Sequence, residues 1–215
     1  MATARKWSNV AVAMQSAIGA AIAISAITKA TEGVVTTGAA HGLSNGDYVV
    51  LTVQGMRQVD DRVFRIKAAS GSTLTLEGED TTNFDTFSSG SLQKVTFGTS
   101  ITTATSISSS GGDFDMIDTT TIHQGARSQM PGLPSAASFS FDNIWDVSDA
   151  GLKAMKSASD AQGKRAFMFT FGAGGQILVF NGYVGASLLP GGSAQQLVTT
   201  KTTITMNGTP TTYAS

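Results

Sequence analysis

Between residues 164 and 171 the chain reads KRAFMFTF, with Phe167, Phe169 and Phe171 spaced two apart. A strand turns successive side chains to opposite faces, so this spacing sets the three rings on one side of an extended segment. The same period of two recurs along most of the sequence. Val10, Val12 and Met14 alternate, as do Ile22 and Ile24; Phe139 and Phe141 share a face of ASFSFDNIW (137–145); Val198, Ile204 and Met206 share one parity in QLVTTKTTITMNG. VVTTG, YVVLTV, RVFRIKAA and STLTLEG add further short β-type runs, separated by AHGLSNGD, the 57–61 turn and SGS. Such a chain buries its apolar residues as sheets packed on one another or closed on themselves. Only DVSDAGLKAMKSASDAQG (146–163) reads as a helix: Asp146 or Ser148 can cap its start, Leu152 and Met155 form an apolar stripe, and Gly163 can end it.

Residues 10–27, VAVAMQSAIGAAIAISAI, carry no charge and raise the question of a membrane span. A span needs about 20 residues rich in Leu, Ile, Phe or Val. Here Ala dominates, and Ser16, Gln15, Gly19 and Ser25 interrupt it. Arg5 and Lys6 are placed as a signal peptide would have them, but the apolar part has no leucine. The alternation predicts two strands joined at a bend near Gly19, and no membrane insertion.

Charged residues make up 13% of the 215, against the usual ~25%, and the formal net charge is −1. A surface so poor in charge suits burial against copies of itself or other partners. No basic run marks a tight nucleic-acid site. With no cysteine, disulfides, thiolate metal sites and cysteine nucleophiles are excluded.

The chemical motifs dissolve on inspection. Gly42-Leu43-Ser44-Asn45-Gly46 fits G-x-S-x-G, but Asn-Gly runs into a strand where a nucleophile elbow needs a helix, and only His41 and His123 are available as a base. Asp113, Asp115 and Asp118 are spaced like part of a calcium loop, without the Gly and late Glu that such a loop requires. Residues 172–175, GAGG, lack the helix and Lys-Ser/Thr of a phosphate loop and read as a hairpin tip. Asn207-Gly208-Thr209 matches a glycosylation acceptor, without any sign of a secretory route. No catalytic, cofactor or metal site is expected.

ITTATSISS (101–109) and DFDMIDTTT (113–121) alternate around Gly111-Gly112, which predicts a hairpin. HQGARSQMPGLPS (123–135) has no period and two prolines, and reads as a long loop. The order DFDMIDTTTIHQGARSQMPGLPSAASFSFDNIWD, a short helix, RAFMFTFGAGGQILVFNGYVGASL and a Thr-rich strand ending NGTPT resembles the major tail, or tail tube, proteins of long-tailed bacteriophages with non-contractile tails. Residues 98–215 carry the resemblance.

The resemblance implies a mainly β tube domain, of sandwich or barrel type, whose hexameric rings stack into a hollow tail. Its long strands would join across subunits into one barrel lining the lumen. Neighbours would be copies of itself, the tape-measure protein, the tail terminator and distal tail or baseplate proteins. Double-stranded DNA would pass without specific binding. The protein would reside in the virion tail, after assembly in the bacterial host cytoplasm, with no cofactor. His123, Arg127, Met130, Pro131 and Leu133 would contact the next subunit or ring. Asp113 and Asp115 would face the lumen and repel DNA.

ITKATEGVVTTGAAHGLSNGDYVVLTVQGMRQVDDRVFRIKAASGSTLTLEGED (27–80) looks like a small β module inserted in many phage virion proteins. The expected division is a tube domain of 1–21 and 97–215, with a module of 22–96 outside the tube, since an inward insertion would block the channel. Two alternatives compete with this reading. One is a β-rich binding module or adhesin of a virion, using Tyr48, Phe64, Phe84 and Phe87 as an aromatic patch. The other is a tube subunit of a phage-tail-like bacteriocin.

Overall fold

The computed structural model describes residues 9–172 and 175–214. Its strands are β1 (Val10–Ile18), β2 (Ile22–Ile27), β3 (Val34–Thr37), β4 (Tyr48–Gln54), β5 (Val63–Ser70), β6 (Thr73–Leu76), β7 (Ser89–Ile101), β8 (Ala104–Ser110), β9 (Phe114–Asp118), β10 (Gln129–Pro134), β11 (Ser138–Ile144), β12 (Lys164–Phe171), β13 (Ile177–Ala186) and β14 (Thr199–Tyr213). One α-helix, α1 (Ala150–Asp160), lies between β11 and β12. The expected mainly β fold with one short helix is what the chain forms. β1 and β2 occupy residues 10–27 as two strands, and among the described residues no helix is long and apolar enough to cross a membrane. Arg5 and Lys6 lie outside the described residues.

Strands β2, β3, β6, β5, β4 and the first half of β7 pair in that order, and β7 returns to β2. The result is a closed six-stranded barrel: Leu92 of β7 has Leu51 as partner on one side and Ile22 on the other. Inward alternation fills it with Val35, Val49, Leu51, Phe64, Ile66, Leu74 and Leu76, all fully buried. Closure depends on Gly90, where a Cβ would stand 2.6 Å from the Thr52 carbonyl oxygen. A side chain there would push β4 off β7.

The second half of β7 continues into an open sheet, β7-β1-β12-β13-β14-β11-β8. Its apolar face buries Met14, Phe141, Phe167, Phe169, Phe180 and Ile204 under Leu152 and Met155 of α1. The rings interlock, with Phe139 and Phe169 centroids 5.0 Å apart and those of Phe169 and Phe180 5.5 Å apart. Offset and edge contacts at these spacings add stabilisation beyond the area buried. The helix begins differently from expectation. Asp149, not Asp146 or Ser148, is the cap, its Oδ1 accepting from the Leu152 N–H at 2.7 Å. Asp146 instead accepts from Ser148, closing the turn before it. At the other end Gln162, at φ 49°, takes the left-handed position assigned to Gly163.

Barrel and sheet are welded along a seam of Val50, Val63, Val95, Ala166, Val179 and Tyr213. β14 runs past the sheet to reach it. Tyr213 accepts the Arg65 backbone N–H at 2.7 Å beneath the Arg65 guanidinium, 4.5 Å above its ring. Lys164 Nζ pairs with Asp61 at 2.5 Å, and Asn207 donates to the same carboxylate at 3.1 Å.

Two expectations about residues 101–135 are overturned. β8 and β9 do not form a hairpin: β8 pairs with β11, and β9 pairs only with β10. The stretch 123–135 is not all loop, because residues 129–134 form the second strand of that separate pair. Gly111 and Gly112, at φ 84° and 89°, let the chain leave the sheet. Val198 also differs, lying before β14 and half exposed.

Candidate functional site

Residues 112–135 form an arm. At its root the Gly112 N–H donates to the Ser135 carbonyl at 3.2 Å and the Ser135 N–H to the Asp113 carbonyl at 2.8 Å. Beyond it β9 and β10 pair with Asp118 opposite Gln129, Ile117 opposite Met130 and Met116 opposite Pro131. Partners across an antiparallel ladder share a face. Phe114, Met116, Pro131 and Pro134 therefore make one face, with Asp118 beside them; Asp115, Ile117 and Met130 make the other. Both faces are bare: Phe114 is 58% exposed, Met116 54%, Met130 51% and Leu133 84%.

The ten residues between the strands, 119–128, are held by their own polar groups. Thr120 Oγ1 accepts from the Ser128 N–H at 2.9 Å, and Thr121 N–H donates to Gln124 Oε1 at 3.0 Å. The Thr120 side chain and N–H bond Asp118 and hold its carboxyl below the usual carboxylate range. His123 and Arg127 stand exposed in this loop, while Met130, Pro131 and Leu133 lie on β10. The structure thus gathers all five residues expected at an inter-subunit contact on one arm. Asp113 and Asp115 are on it too, at the root and on β9, and not on the long sheet.

Further exposed apolar ground lies at the far end of β11. Trp145, Val147, Leu152 and Leu188 line a groove of about 420 Å³, rimmed by Lys153, Lys156, Asp146 and Asp160. Trp145 shapes it: its backbone N–H donates to the Val198 carbonyl at 2.9 Å and its Nε1 to the Leu188 carbonyl at 3.0 Å. The sequence reading did not identify this groove, because Trp145 and Leu188 are 43 residues apart. The exposed Trp and Val after a strand were the available signal.

Ser44 sits in a turn, its N–H donating to Asp47 Oδ2 at 3.0 Å. His41 has both ring nitrogens engaged, by the Thr73 carbonyl and the Leu43 N–H, each at 3.0 Å. The tip of the 172–175 turn lies outside the described residues at 173 and 174; β12 and β13 on either side pair as a hairpin. Nor do the described residues form an aromatic platform on the barrel. Phe64 is fully buried, Phe84 and Phe87 pack on the core, and Tyr48 meets Phe97 edge-on at 5.3 Å.

The described residues thus make a barrel welded to an open sheet, with an exposed, largely apolar arm. A family model for the phage tail tube protein matches residues 54–215. The chain belongs to that family, and is a structural, non-enzymatic component of the bacteriophage virion's tail that associates with itself and other tail proteins to form the tube. No match emerges among curated proteins.

Proposed function

We propose that this subunit forms hexameric rings stacked into the tail of a long-tailed phage with a non-contractile tail, and that the channel conducts DNA during infection. The observation that carries the reading is the arm, whose apolar residues are set outside both cores of their own chain. The open sheet supports it as well. β8, at the outer end of the strand order, pairs on one side only, and a free edge can extend into a neighbouring copy's sheet. Joined edges would make one continuous barrel around the lumen. The tape-measure protein would fill it before DNA enters, and terminator and distal tail proteins would close its ends. Assembly would take place in the host cytoplasm.

In this reading residues 22–96 form the outer module, and 1–21 with 97–215 the tube domain, with β7 (Ser89–Ile101) crossing the boundary. His123, Arg127, Met130, Pro131 and Leu133 serve the contact with the next subunit or ring. Asp113 and Asp115, which share a parity, face the lumen and repel DNA. Replacing both with Lys should slow ejection while tubes still form; unchanged ejection kinetics would remove that role. The main test is negative-stain microscopy of the concentrated protein beside a variant with residues 113–134 replaced by a short Gly-Ser linker. Hollow tubes from the first and none from the second are expected. Tubes of normal width without the arm would overturn its role.

A further inference from the structure

The arm and the Trp145 groove lie at opposite ends of one strand. β11 joins the root of the arm, through residues 135–137, to Trp145 and Val147. Its seven residues span about 20 Å. When two complementary surfaces sit at opposite ends of a subunit, their contact is heterologous and repeats from copy to copy. One face of the arm supplies Phe114 and Met116, each more than half exposed and paired in their own subunit only with Pro134 and Pro131. A groove of about 420 Å³ falls in the range that encloses a small ligand, so two such side chains fit. The charges agree as well. Asp118 shares the parity of Phe114 and Met116, and its Thr120 contacts keep it ionised. Lys153 on the groove rim is exposed and, among the described residues, forms no ion pair within 4.0 Å, its charge acting on Asp146 only from a distance, whereas Lys156 is taken by Asp160.

We propose that the Phe114/Met116 face of one subunit's arm seats in the Trp145–Val147–Leu152 groove of a second copy, with Asp118 meeting Lys153. This rests on the tail-tube reading and names the acceptor for its arm. Both side chains leave water on seating, which a lone two-stranded hairpin cannot achieve within its own chain. The opposite parity, with Asp113 and Asp115, stays outside this groove.

The chain has no cysteine, so introduced pairs report contact directly. Oxidation of Met116→Cys/Val147→Cys in one chain should give a ladder of covalent multimers, while mixed single variants should stop at dimers. A control pair, Met116→Cys/Thr82→Cys, should give no ladder. Asp118→Lys should weaken the ladder several-fold, and Asp118→Lys with Lys153→Asp should restore it. No excess of the ladder over the control pair would overturn the groove as acceptor, and an unchanged ladder in Asp118→Lys would overturn the ion pair. Microscopy separates the two levels of failure. If the arm-deleted chain loses tubes while the cysteine pair fails to link, the groove alone is wrong. If the arm-deleted chain still forms tubes, the arm's role falls with it.

Discussion

The six-stranded barrel and the arm are built from the same kinds of residue, and they treat their backbone edges in opposite ways. In the barrel every strand is flanked on both sides, and Val35, Leu51, Phe64 and Leu74 are fully out of water. In the arm two strands pair with each other alone, and all five residues of β9 are exposed. A two-stranded hairpin is marginal by itself in water, whereas a closed barrel has no edge left to offer. The barrel is complete in one chain, and in the proposed assembly a second chain completes the arm. The buried core and the exposed apolar strands therefore occupy separate parts of the molecule.

Mutations can break this division, beginning where the effect on subunit stability is largest. Phe64→Ala, at a fully buried site, should cost about 3–5 kcal/mol in denaturant unfolding. A loss below about 1 kcal/mol would show that the barrel interior collapses easily around the gap. Glu79→Gln should cost about 3 kcal/mol, because it leaves the Arg62 guanidinium, whose side chain is 10% exposed, without its charge partner.

The seam should fail in alkali. Burial raises the Tyr213 phenol above its ordinary value of 10.0, against the opposing Arg65 N–H. Burial alone would lower the Lys164 ammonium, but the Asp61 carboxylate outweighs it and holds the group above 10.5. Both shifts are upward, so each group's contribution is full below its unfolded value and is lost as pH rises beyond it. The unfolding midpoint should hold level to about pH 10 and then fall, and Tyr213→Phe should remove the tyrosine's share of that fall. Asp149→Ala, which uncaps α1, should cost about 1 kcal/mol. Smallest of all, Phe114→Ser with Met116→Ser should change unfolding by less than about 0.5 kcal/mol and yet abolish tubes under the microscope. A large stability loss there would mean that the arm does support its own subunit.

Much of the architecture was legible because alternation is local. Phe139, Phe141, Phe167 and Phe169 face one core, as their spacing of two requires. The arm's second strand was hidden by Pro131 and Pro134, which suppress any strand reading of residues 129–134. Proline is tolerated there because β10 pairs along one edge only, so a missing N–H can face solvent. Closure of the barrel was equally invisible, since Ile22 meets Leu92 across 70 residues with no signal near either. The five residues proposed for the contact could be singled out together because loop-like composition marks residues 123–135. The groove proposed as their acceptor could not be, because a groove made by Trp145, α1 and Leu188 exists only after folding.

β7 runs unbroken from Ser89 to Ile101, closing the barrel with one half and pairing with β1 along the other. No hinge separates the two bodies along this strand. A pull on the barrel is therefore a load in shear, shared by two ladders of hydrogen bonds and carried directly into the sheet. The barrel is fastened as a handle is forged to a blade, and whatever tugs on it tugs on the sheet.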